Sequence, residues 1–389
     1  MSGVAAGSGR DPGRAALGTW SGGRFMHFGE PITEERLARL LRPDERLDTV
    51  LTADAYGAGE ADRLLGSSLA GVPRESFCVV GAIGHDFYDG ERRGAKGFPR
   101  FTDPALRGSS QYAAYLRMAT ERSLERLGIE RFDVLLLHNP DRIGYTSETV
   151  WNGMAALREA GLTRALGIAP GPANGFTLDV IGCFERYGEL IDWAMLILNP
   201  LEPWPGELAL GAADAAGIRV IARVVDYGGL FWGDLEAGHA FRPDDHRAFR
   251  PDGWVEGGLA RIERMRPTAE RHGLTMAQLA CAWDLAHPAV TCVAPTLIQE
   301  SGERARPIEE KRAELAALPA GELLDADEVA LIRELGDNTG CMALKGAGPD
   351  HVGSELPDRW AIDERQLELA ARWRIDPQVD LRRHATSAT

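Results

Sequence analysis

The chain has 389 residues, 44% hydrophobic and 26% charged, with a formal net charge of −15. That length and balance suit one large globular domain and argue against long disorder, and the acidic excess repels polyanions, which excludes a nucleic-acid partner. Lys96, Lys311 and Lys345 are the only lysines, so almost all positive charge is arginine.

The opening segment, MSGVAAGSGRDPGRAALG, has no apolar stretch of signal-peptide kind, and no later run has bilayer-spanning length. The expected location is the cytoplasm, away from membranes. A weak strand is expected within residues 17–28. From about residue 47 short apolar runs alternate with amphipathic segments of helical length, the pattern of parallel strands joined by helices. Strands are expected at 47–53, 77–83, 132–138, 164–169, 193–199, 218–225 and 290–294. Helices are expected at 33–41, 60–70, 111–127, 147–159, 176–187, 206–214, 258–271 and 275–286. Ser147 is placed to cap one of them, and Gly161 to stop it. The result is an α/β (β/α)8 barrel over residues 1–335, with a C-terminal extension over 336–389. The extension carries Trp360 and Trp373 and is read as a cap or an interface for a homo-oligomer. Segments 84–110 and 226–257 are too long for plain turns and are expected to wall a pocket on the C-terminal rim. Cys78, Cys183, Cys281, Cys292 and Cys341 are far apart and read as free thiols.

Four stretches carry a resemblance. LTADAYGAGEADRLLG at 51–66, SLERLGIERFDVLLLHNPD at 123–141, GLTRALGI at 161–168 and TMAQLACAWDLAHPAV at 275–290 occur in the order, and with the motifs, of the aldo-keto reductases. The resemblance implies a barrel binding NADP or NAD across its mouth, with an Asp, Tyr, Lys and His tetrad. Transferred position by position, the tyrosine is Tyr56 and the histidine His138, whereas the aspartate falls on Leu51 and the lysine on Ala82.

In such a tetrad the ammonium lowers the phenol pKa from about 10, so that the tyrosine can protonate a carbonyl as hydride arrives. Without it Tyr56 is a weak acid. Lys96 in the long loop is one substitute, and His85 the stronger one. Cofactor positions implied by the resemblance have changed as well: Ala169-Pro170 stand where Ser-Asn is usual, Pro200 where glutamine is common, and Arg223 where an aromatic ring often stacks on nicotinamide.

Polar residues at strand C-termini of a barrel read as site residues. Tyr56, His138, His85 and Asp226 are the catalytic candidates. Asp54, Asn139, Glu202, Arg223, Tyr227 and Trp232 are candidates for substrate binding, and Asn199, Thr296 and Arg306 for cofactor binding. No metal is assigned, because no ligand spacing supports one, and DDHR at 244–247 reads as a solvated loop or a salt-bridge set in a lid. Phe87, Tyr88, Tyr227, Phe231 and Trp232 suit a polyhydroxylated or glycoside-like small molecule. Two reactions stay open: NAD(P)-linked oxidoreduction of a small polar carbonyl or sugar, and redox-neutral lyase or hydrolase chemistry by histidines and carboxylates such as Asp226 and Glu202. A non-catalytic binding role would need only the pocket.

Overall fold

Eight short strands run parallel in chain order, each pairing with the next: β1 (Ala16–Gly18), β2 (Thr49–Leu51), β3 (Cys78–Ile83), β4 (Phe132–His138), β5 (Thr163–Ala169), β6 (Trp193–Ile197), β7 (Arg219–Arg223) and β8 (Val290–Ala294). A bridge between Ala15 and Val293 joins β8 back to β1 and closes the cylinder. The computed structural model describes residues 9–93, 97–171, 175–336 and 344–382. The expected strands and helices recur within a few residues of their predicted bounds. The exceptions are β1, shorter than the 17–28 window, and 206–214, where a 3-10 turn precedes the helix Leu210–Ala215.

Strand side chains alternate between the barrel interior and the surrounding helices. Leu51, Ala53, Val80, Ala82, Val134 and Leu136 face inward with Trp20 and Trp193. Two indoles fill the space that the small residues leave. At Gly18 a Cβ would fall 2.2 Å from the Trp20 ring, so only glycine admits that indole.

Ser147 sits at the N-cap of Glu148–Glu159 with an extended backbone, but its side chain makes no cap bond; the capping of Arg142–Thr146 by Asp141 fixes this stretch instead. Gly161 takes the left-handed φ of 76° expected of a helix stop. Helices Ile308–Ala316 and Ala326–Leu335 follow the barrel. Beyond them β9 (Gly346–Gly348) pairs with β10 (Arg359–Ala361), and the helix Glu364–Arg372 lies against Thr177–Tyr187. A buried carboxylate ties three parts of the extension together. Asp179 accepts from Ala347 N (3.0 Å), Trp360 Nε1 (3.0 Å) and Gln366 Nε2 (2.8 Å). Trp373 donates to Glu185 Oε1 at 2.8 Å. Cys78, Cys183, Cys281 and Cys292 are buried thiols, and Cys341 lies outside the described residues. Among the described residues no helix is long and apolar enough to cross a membrane.

Candidate active site at the barrel mouth

Beyond β2 the chain keeps its pairing with β3, Thr52 N donating to Val80 O and Asp54 N to Ala82 O. It then enters a 3-10 turn, Tyr56–Gly59, in which Gly57, Ala58 and Gly59 all take positive φ. This turn lays the Tyr56 ring over the interior cluster. His138 is the last residue of β4. Its ring meets Tyr56 edge to face at 5.7 Å and His85 at 5.2 Å.

His85 is already committed. Its Nδ1 lies 2.8 Å from Phe98 O and its Nε2 3.0 Å from Asn139 Nδ2, an arrangement that assigns the proton to Nδ1 and makes Nε2 an acceptor. Burial, then the Arg100 charge, push its pKa down to about 4. Burial, then His85, Arg223 and Arg100, hold the His138 pKa well below the ordinary imidazole range, so both imidazoles are neutral near pH 7. Among the described residues His138 Nδ1 has no hydrogen-bond partner.

Arg223 ends β7 and brings the cation. It donates to Pro170 O at 3.0 Å; burial lowers its pKa, and Tyr56 and then Glu202 act in the other direction. A Cβ placed on Gly171 would lie 2.7 Å from Arg223 Nη2 and 2.8 Å from Asn139 Oδ1, which locates both groups at one spot on the rim. The next residue, Val224, has φ of 61°, an outlier for a β-branched side chain. Asn199 Nδ2 holds its carbonyl at 3.0 Å. Burial raises the Tyr56 pKa and Arg223 pulls it back part of the way, so the phenol is protonated at neutral pH. Leu51 and Ala82 face the interior beneath this mouth, while Lys96 lies outside the described residues.

The other candidates sit elsewhere. Asp54 is fully buried and follows inward-facing Ala53. It faces Asp62, Arg126 and Asp86 on the helix side of the wall, where burial and Asp62 raise its pKa well above the carboxylate range. Among the described residues both its oxygens lack hydrogen-bond partners. Asn199 is spent on a turn, its Oδ1 accepting from Leu201 N and Glu202 N. Glu202 pairs with Arg250 at 3.3 Å, and Arg250 covers Tyr227 at 4.6 Å. Asp226 accepts from Gly229 N and Thr296 N, and Trp232 Nε1 donates to Thr296 O. Arg306 is tied to Asp234, Glu314 and Trp232 O. Phe87 and Tyr88 stack on each other beside Arg126 and Arg122, turned toward the outer helix, and Phe231 is buried. The structure therefore gathers Tyr56, His138, His85, Asn139 and Arg223 at the mouth. It knits Asp226, Asn199, Glu202, Tyr227, Trp232, Thr296 and Arg306 into the framework behind β6, β7 and β8.

Three features escape sequence reasoning. Arg100 bridges to His85 through the backbone, donates to Asn139 O at 2.9 Å and pairs with Asp358 of the extension. Trp20 belongs to the interior cluster against which Tyr56 packs. In the DDHR stretch the salt-bridge alternative holds, but with a distant partner: Asp244 is exposed, while Asp245 and Arg247 are buried with Glu300. That trio had no local signal, since Arg247 and Glu300 lie 53 positions apart.

The sequence signature described as "Aldo/keto reductase family" matches residues 16–335. Aldo-keto reductase AFTS1 of Alternaria alternata is 25% identical over 291 residues, covering 66% of this chain and 75% of the relative. Among solved structures, a glycerol dehydrogenase from Gluconobacter oxydans superposes with a TM-score of 0.64 at 23% identity, covering 85% of this chain and 95% of its own. An aldo/keto reductase from Klebsiella pneumoniae, solved with NADP and acetate, gives 0.55 at 21% identity over 82% and 90%. With the eight-stranded parallel barrel and a family signature covering most of its length, this chain belongs to the aldo/keto reductase family.

Proposed function

We propose that this chain, in the manner of its family's oxidoreductases, acts on the carbonyl group of a small polar molecule at the barrel mouth, with Tyr56 exchanging a proton with the carbonyl oxygen. The observation that carries this reading is the edge-to-face contact of Tyr56 and His138 in one mouth, with Arg223 charged beside the phenol. Leu51 and Ala82 stand where the resemblance places the family's Asp and Lys, so the usual ammonium is lost, and Arg223 supplies the positive charge from β7. The neutral His138 ring lies against Tyr56, and its low basicity keeps it from taking the Tyr56 proton first. His85 acts through Asn139, holding the amide that, with Arg223, contacts the polar groups of the substrate. A guanidinium stays ionised at any working pH, and opposite charge favours the phenolate left after proton transfer.

Reduction of the carbonyl also needs a hydride, which a reduced nicotinamide would supply. The residues present do not fit that group. Ala169, Pro170 and Pro200 offer no side-chain donor to a carboxamide, and Asn199 has none to spare. These spent donors favour a second reading in which the proton step serves a tautomerisation or elimination beside the carbonyl. Asp226 and Glu202 are committed to main-chain amides and to Arg250, which leaves Tyr56 and His138 to carry that chemistry.

The test is turnover of a panel of small aldehydes, ketones and sugars. It is read both as NAD(P)H absorbance and as solvent deuterium entering the substrate, for the wild type and Tyr56→Phe. Loss of one positioned proton donor lowers the rate about 10²–10⁴-fold in whichever readout responds. An unchanged rate removes Tyr56 from the role.

A further inference from the structure

In barrels of this kind a phosphate-binding locus commonly forms from the loops after the seventh and eighth strands and the N-terminus of a following helix. Such a locus works through main-chain amides and cations that are free to meet the phosphate. Here several of them are already answered. Asp226, buried, accepts from Gly229 N after β7 (2.8 Å) and from Thr296 N after β8 (2.7 Å), and so takes the two amides that face each other across the locus. Over the same glycine turn lies Arg247. Its Nε and Nη2 donate to Asp245 (3.0 and 2.8 Å), its Nη2 also to Glu300 (3.1 Å), and its Nη1 to Gly228 O (3.1 Å). All three side chains of that trio are buried. A Cβ on Gly229 would lie 3.2 Å from Glu300 Oε1 and 3.3 Å from Arg247 Nη1, so the trio occupies the space directly above the turn.

The helix side repeats the pattern. Ahead of Ile308–Ala316, Arg306 N and Nε point at Asp234 (3.3 and 3.4 Å), Arg306 Nη1 donates to Glu314 (2.8 Å), and buried Lys311 ion-pairs with Asp234. Arg304 is bound to Glu236 at 2.7 Å. Freeing any of the buried cations would strand its carboxylate, and an unpaired buried charge is strongly unfavourable.

We infer that internal carboxylates, Asp226 foremost, permanently fill the phosphate locus of this barrel, so that the chain takes no nicotinamide dinucleotide as a resident cofactor. Asp226 does the structural work of a bound phosphate, tying the β7 and β8 loops together. The inference goes beyond the proton-transfer reading and stands independently of the role of Tyr56.

Two calorimetric measurements test it. Titration of the full-length wild type with NADPH and with NADH, each to about 1 mM, gives no binding isotherm and no rise in Tm. A Kd near 10 µM or tighter for either overturns the inference. Asp226→Ala bares the two amides, so its lowered Tm climbs with added inorganic phosphate or acetate while that of the wild type stays still. A folded variant whose Tm ignores both anions also overturns it. Should the variant not fold, the wild-type titration decides alone. A wild type that binds NADPH and depends on Tyr56 defeats this inference and leaves the proton-transfer reading standing, whereas an inert Tyr56→Phe effect with no dinucleotide bound does the reverse.

Discussion

His85 shows how burial sets the charge of this mouth. Its folded pKa is near 4, against an ordinary 6.5, so between those values the unfolded chain binds the proton more tightly than the folded one. The stabilisation that comes from its neutrality is fully present above pH 6.5 and is lost as the pH falls toward 4. The 2.5-unit gap corresponds to about 3 kcal/mol. Urea unfolding of the wild type and of His85→Gln at a series of pH values should show the difference between them shifting by that amount across the window. Parallel curves would refute the assignment. Asp179 has the opposite sign. Burial raises its pKa to about 6, so its own contribution favours folding as the pH drops from 6 toward 3.8. Comparison with His85→Gln is needed because the two trends oppose each other in the wild type.

Among the elements, β3 and β4 come close together just below the mouth. A Cβ on Gly84 would fall 2.4 Å from the His138 carbonyl oxygen, an atom of the β-ladder that cannot swing aside. Gly84→Ala is therefore expected to cost about 1–3 kcal/mol and to displace the His138 ring. Thermal melts and activity with the best substrate of the panel check both, and a variant as stable and active as the wild type would show that the loop gives way instead. The barrel strands were legible because they are short, nearly continuous apolar runs at regular spacing, as buried parallel strands must be. The helix Ile308–Ala316 was not, because Lys311 occupies one of its buried positions and breaks the apolar repeat. Of the site, Tyr56 and His138 could be read from motifs next to strand ends. Arg223 was visible as a charge at the end of β7, but that it would reach Tyr56 was not. Asp226, Asn199 and Glu202 looked like rim chemistry. Asp226 and Asn199 proved to bind main-chain amides and Glu202 to bind Arg250, partners that no local sequence pattern displays.

At the level of the whole molecule, a buried carboxylate ties three parts of the C-terminal extension together, and through Asp358 and Arg100 that extension reaches the main chain of Asn139. Asp179→Ala leaves Ala347 N and the Trp360 indole without an acceptor, at about 1–3 kcal/mol for each buried donor. Proteases should then cut within residues 344–382 well before the barrel, and tryptophan emission should shift to the red as Trp360 meets water. A digestion pattern identical to the wild type would mean that the extension is held elsewhere. The buried trio has a consequence of another kind. Asp245 also takes Gly29 N (2.9 Å), so one loop spans from β7 to the start of the chain while Arg247 grips Glu300. During synthesis β1 emerges well before β8, whose Val293 meets Ala15 to close its free edge, and before the clasp of Asp245, Arg247 and Glu300. At about 5–20 residues per second the nascent sheet waits tens of seconds as an open half-shell. In that interval the unpaired rim of β1 is exposed to other chains, and the chaperones that meet this protein first are expected to bind there.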